Sequence, residues 1–221
     1  MWATIIKMWN RYSYVYIQGL TGTLCLAAIT VLCGTVLGTL LAIMRRSRIK
    51  PFQWFVQFYV WVLRGTPILL QLYFFWIFLP RATGIKIPDS TCIIIALIVN
   101  ASSYVSEIIR AGIQAVDIGQ TEAARSLGLP YWRAMYRVVL PQAIRTMIPS
   151  IINQFIITLK DTSILSVIGF PELVNTAKNV VANTMSAFQV WTIVAVMYLV
   201  VITLLSRLAK KVERRLNRGR Q

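Results

Sequence analysis

The stretch Val116–Ala143, VDIGQTEAARSLGLPYWRAMYRVVLPQA, lies between two apolar segments, yet it is polar, carries both signs of charge and is punctuated by glycine and proline. Its residues describe a helix, a break and a second helix. Asp117 or Thr121 can cap an N-terminus, Glu122 falls in a first turn where negative charge is favourable, and Ala123 and Ala124 are small enough to let another surface approach closely. Gly128 followed by Pro130 ends that helix, and Pro141 suits the first turn of the next. This geometry alone does not prove docking and fits a solvated connector between two membrane spans better.

The composition around it is that of an integral membrane protein in one domain. The 221 residues are 57% hydrophobic and 14% charged, with a mean hydropathy of +0.65, outside the soluble globular range. A net charge of +16 raises the question of nucleic acid. The basic residues, however, fall in blocks at the ends of apolar runs: Arg45 to Lys50, the central loop with Arg125, Arg133 and Arg137, and a tail from Arg207 to Arg220. Such blocks report topology and contact with anionic lipid, so no nucleic-acid partner is expected. Cys25, Cys33 and Cys92 sit in apolar runs without metal-ligand spacing and are expected to be buried packing residues; no metal site is expected. The absence of histidine removes most hydrolytic and metal-dependent membrane enzymes, and the first apolar run is too long for a cleaved signal, so it is expected to be retained as a span.

Five spans are predicted. Residues 1–16, with Trp2, Ile5, Ile6 and Trp9 at helical spacing, form a short interfacial helix. Ile17 to Met44 is uncharged and long enough for about 42 Å of helix. It carries a Gly34/Gly38 pair suited to close packing, within the chain or across a dimer. The second span, Phe52 to Leu79, holds one charge, Arg64, followed by Gly65, Thr66 and Pro67. An arginine at mid-depth is costly and should face a cavity or a partner, and Pro67 frees polar backbone groups beside it. The third span, Ser90 to Ile109, aligns Asn100, Ser103 and Glu107 on one face, as cavity lining or as interhelical hydrogen bonds. The fourth helix begins near Pro141 and carries Lys160 and Asp161 in its outer half; Val167 to Ser186 forms an external helix and loop; the fifth span runs from Ala187 to Ser206. With the N-terminus outside and the C-terminus in the cytoplasm, sixteen basic residues fall on the inner side against five outside, which supports that orientation.

In the central stretch, Glu122-Ala123-Ala124, Gly128, Val138 and Leu140-Pro141 have the spacing of the EAA loop, and the chain resembles the permease subunits of ABC importers. The family has Ile where Val138 stands, a mild departure. Leu63 to Gln71 (LRGTPILLQ), Asn100 to Gly112 (NASSYVSEIIRAG) and Lys160 to Ile164 (KDTSI, with Ile164 where Leu is usual) resemble the polar amino-acid branch. The resemblance implies an all-α polytopic permease whose loop 117–141 docks on a separate ATPase through Glu122, Ala123, Ala124, Gly128, Leu140 and Pro141. It implies two ATP-binding subunits, a second permease subunit, identical or homologous, and an extracytoplasmic binding protein, in a bacterial inner membrane. No GxxxxGK[ST] occurs in the chain, so ATP and Mg belong to the partner and this subunit is not itself an enzyme.

Candidate substrate contacts are Arg64 for an α-carboxylate, Glu107 or Asp161 for an amino group or a cationic side chain, and Thr66, Asn100, Ser103 and Gln154 as polar lining. The two carboxylates favour basic amino acids; glutamine, cystine and opines are alternatives. By span position Glu107 and Asp161 lie on opposite sides of the midplane, whereas Arg64, Thr66, Asn100 and Gln154 agree in depth. A passive polar-solute channel and a membrane-bound transferase are rival classes; the first leaves the EAA spacing unexplained and the second lacks paired carboxylates or histidine.

Overall fold

The computed structural model describes residues 2–217. Nine α-helices are described: α1 (Trp2–Arg46), α2 (Lys50–Gly65), α3 (Ile68–Thr83), α4 (Asp89–Gln114), α5 (Ile118–Ser126), α6 (Tyr131–Ala134), α7 (Leu140–Asp161), α8 (Leu173–Thr184) and α9 (Ala187–Asn217). No strand occurs among the described residues. Four helical stretches are long and apolar enough to cross a membrane, and α2 with α3 makes a fifth if the bent pair counts as one span.

The bundle is built around α1 and α4. Their seam is made by glycine: a Cβ at Gly34 would lie 3.0 Å from Ala101 Cβ, and one at Gly38 would lie 2.8 Å from the Ser102 carbonyl oxygen. The Gly34/Gly38 pair therefore serves packing within the chain. One end of α1 packs on α8 and α9, where Tyr16, Leu173, Ala177, Val180 and Val190 form a buried cluster joined by Ile5, Met8 and Tyr12. That contact corrects the expected interfacial helix. With no glycine or proline before Gly19 and a packed partner for its apolar face, the segment continues α1 without a turn. Cys25 and Cys33 also differ from expectation: both face outward, and only Cys92 is buried.

The second predicted span is broken rather than kinked. The axes of α2 and α3 meet at 112°. Thr66 is extended (φ −118°, ψ 146°), as the residue before a proline prefers, and Pro67 then caps α3.

The helix after the central loop starts ten residues earlier than expected, at Tyr131, and runs on to Ile168. Pro141 sits inside it. Residues Met135–Val139 form a π turn, with the Leu140 N–H bonding the Met135 carbonyl. The wider turn immediately precedes a proline whose ring crowds the backbone and which lacks an N–H. The segment predicted to be external, Val167 to Ser186, begins at the end of a 3₁₀ turn, Thr162–Ile168, and contains α8. Glu172, fully buried, caps α8 by accepting the N–H groups of Val174 and Asn175. The basic tail continues α9 as helix; Arg218 and Arg220 lie outside the described residues.

Candidate functional site

A cavity of about 640 Å³ opens between α2, α4 and α7. Arg64, the last charged residue of α2 before the break, reaches its wall, and the guanidinium lies 5.4 Å from the centroid of the Tyr104 ring on α4. A cation over a partly exposed ring contributes about 0.5–1 kcal/mol, enough to orient Arg64 without occupying its hydrogen-bonding edge. Among the described residues Arg64 makes no ion pair. Ser150, Asn153 and Gln154, one face of α7, line the opposite wall. Gln154 is buried, and its amide is 3.4 Å from Thr158 Oγ1, a long contact that leaves much of its bonding capacity unused.

Glu107 also lines the cavity, but its carboxylate is already engaged. Oε2 accepts from Arg45 at the end of α1 at 2.7 Å, and Oε1 accepts from Arg110 Nε at 2.7 Å. Two guanidiniums on one carboxylate leave the cluster with a net positive charge, so Glu107 ties α1 to α4 and offers little to a substrate cation. Asp161, half-buried at the end of α7, is not in the cavity wall, and it forms no ion pair with Lys160.

Thr66, Asn100 and Ser103 are brought together, and their side chains bond within the chain. Ser103 is fully buried and donates to the Asn100 carbonyl. Thr66 accepts from Gln71, and Asn100 donates to Gln71 Oε1 at 2.8 Å. Gln71 is the residue that sequence reasoning missed as a contributor. Its signal was its place four residues after Pro67, one turn into a helix whose preceding carbonyls have lost a donor.

The loop 117–141 carries a second surface. Asp117 caps α5, its Oδ1 accepting the Gly119 N–H. Gly128 adopts φ +84°, with Leu129 N bonding Ala124 O and Gly128 N bonding Arg125 O, a glycine-dependent helix stop. Glu122, Ala123, Gly128 and Pro141 are exposed, Leu140 is half-buried, and Ala124 is buried against the fold. Around them three large apolar side chains project outward: Ile118 (74% exposed), Leu127 (85%) and Trp132 (73%). They were not among the expected contacts, although exposed large apolar residues on and just after a short polar helix are a legible sign of a covered face. Arg46 of α1 donates to the Tyr131 hydroxyl beside this surface. Among the described residues no three His, Cys, Asp or Glu side chains lie together as a metal site would need.

Comparison with known proteins places both surfaces in context. The chain is 38% identical over 200 residues to the arginine transport system permease protein ArtQ of Bacillus subtilis (strain 168), covering 90% of this chain and 91% of the relative. It is 40% identical over 206 residues to the probable glutamine ABC transporter permease protein GlnM of the same organism, covering 93% and 94%. A crystal structure of an amino acid ABC transporter with histidines superposes with a TM-score of 0.89 at 42% identity, covering 93% of this chain and 96% of that one. Residues 34–218 match the family described as the binding-protein-dependent transport system inner membrane component. The helical bundle, the exposed central loop and this match over most of the chain agree: the protein belongs to the family of inner membrane components of binding-protein-dependent transport systems.

Proposed function

We propose that the chain is the permease subunit of an ATP-driven importer of polar amino acids, holding the substrate α-carboxylate on Arg64. The observation that carries this reading is an arginine without an ion pair among the described residues, lying against Tyr104 in the wall of a cavity whose far side presents Ser150, Asn153 and Gln154. Relatives named for arginine and glutamine transport support the substrate class. The pairing of Glu107 with Arg45 and Arg110 removes one of the two carboxylates that favoured a basic substrate. A side chain bearing an amide or hydroxyl suits the Asn153 and Gln154 wall equally well.

In this proposal the N-terminus is outside and the central loop and C-terminus are cytoplasmic, in a bacterial inner membrane. Two ATP-binding subunits, which hold ATP and Mg, dock on the α5 surfaces of this subunit and of a second permease, identical or homologous. An extracytoplasmic binding protein delivers the substrate. ATPase closure draws the two α5 helices together, and the continuous helix from Tyr131 to Ile168 carries that movement to the cavity wall at Ser150 and Gln154.

The test is ATP hydrolysis by the complex, reconstituted with its ATPase and binding protein and screened against single amino acids. Stimulation by at least one polar amino acid, abolished when Glu122→Lys detaches the ATPase, is expected. A chain that conducts polar solutes without any ATPase would be a passive channel instead.

A further inference from the structure

The break between α2 and α3 leaves a specific deficit. In an unbroken helix the Leu63 carbonyl would accept the N–H of residue 67, but residue 67 is proline and has none. The Gln71 side chain takes that place: its Nε2 lies 2.7 Å from Leu63 O, 3.1 Å from Thr66 O and 2.8 Å from Thr66 Oγ1. Its Oε1 accepts from Asn100 Nδ2 on α4. Gln71 and Asn100 are each 6% exposed, so losing these bonds would leave buried polar groups without their partners.

Arg64 lies directly beside the Leu63 carbonyl that Gln71 holds, and the ring it stacks on, Tyr104, is one turn along α4 from Asn100. The same amide pair therefore fixes both the last turn of α2 and its distance from the helix carrying Tyr104. We infer that Gln71, anchored by Asn100, is a positioning residue: it replaces the backbone donor missing at Pro67 and thereby aims Arg64 into the cavity. The inference rests on the reading of Arg64 as the carboxylate contact.

A double-substitution cycle in the complete reconstituted complex tests it, reading the amino-acid concentration that half-saturates ATP-driven uptake separately from the maximal rate. Gln71→Leu keeps the side-chain size and removes every bond. It should raise the half-saturating concentration about tenfold on its own and add almost nothing in an Arg64→Gln background, because the contact it positions is already gone. Equal, multiplicative effects in both backgrounds would overturn the positioning role while leaving Arg64 as a contact. No effect of Arg64→Gln alone would instead sink the carboxylate reading, whatever Gln71 does. Asn100→Leu, which releases the anchor on α4, should repeat the pattern in weaker form. If Gln71→Leu prevents assembly, Asn100→Leu carries the cycle alone. Failure of both variants to assemble would make the pair a folding determinant and overturn the proposal.

Discussion

Arg64 and Glu107 line one cavity, yet their surroundings differ. Arg64 has a ring behind it and, among the described residues, no counter-ion, whereas Glu107 is held by two guanidiniums from two helices. Glu107→Gln is therefore expected to act on stability: it leaves Arg45 and Arg110 facing each other without a carboxylate, at a cost of about 1–2 kcal/mol, between the values for exposed and for buried pairs. Thermal unfolding of the detergent-solubilised complex checks this, and the order of preference among amino acids should not change. A switch in that preference would return Glu107 to the substrate site. Both residues were legible in the sequence as charges that must face a cavity or a partner. Which of the two each one met was not, because one of the two partners of Glu107, Arg45, lies sixty-two positions away at the end of another helix.

Among the elements, the α1–α4 seam and the π turn can each be tested by substitution. Gly38→Ala places a Cβ within 3.0 Å of the α4 backbone at Ser102 and Ser106, so the helices must separate, with a loss of about 1–3 kcal/mol by overpacking. Gly65→Ala meets nothing within 4 Å and should leave stability equal or slightly raised, by about 0.4–1 kcal/mol. Comparing the two melting temperatures tests whether Gly34 and Gly38 form the seam within the chain. The π turn lies between the α5 surface and the cavity wall. Pro141→Ala restores the missing N–H and removes the crowding, so the turn is expected to relax towards α-helical spacing and shift the register between Tyr131 and Ser150. Substrate stimulation of the ATPase should fall severalfold while the complex stays assembled; unchanged stimulation would make the turn incidental to coupling.

Helix type and span positions were readable because uncharged runs of this length have few alternatives. The continuity of α1 was not, since the packing of Ile5, Met8 and Tyr12 on α8 and α9 depends on contacts from the far end of the chain. The break at Thr66-Pro67 was half readable: the proline announced a defect, but its depth depends on Gln71 and Asn100 satisfying the freed carbonyls.

The whole molecule carries two surfaces joined by one helix: a face around α5 with exposed apolar side chains and both signs of charge, proposed to meet an ATPase, and a cavity whose Arg64, without an ion pair among the described residues, is proposed to meet a solute. Ile118, Leu127 and Trp132 are highly exposed large apolar side chains in the loop that carries Glu122, which fits a face covered by a partner. Leu127→Asp is therefore expected to weaken ATPase copurification about tenfold or more, as loss of an apolar interface anchor does. Retention of the ATPase by this variant would move the docking face elsewhere. The most direct measurement is uptake of a labelled polar amino acid into proteoliposomes containing the full complex, with and without ATP, for the natural chain and for Arg64→Gln. Uptake that requires ATP, with a half-saturating concentration raised about 10- to 100-fold in the variant as expected for a lost charge-assisted hydrogen bond, is the result that follows from an importer holding its substrate on Arg64. Uptake that proceeds equally without ATP, or saturates at the same concentration in both proteins, would contradict it.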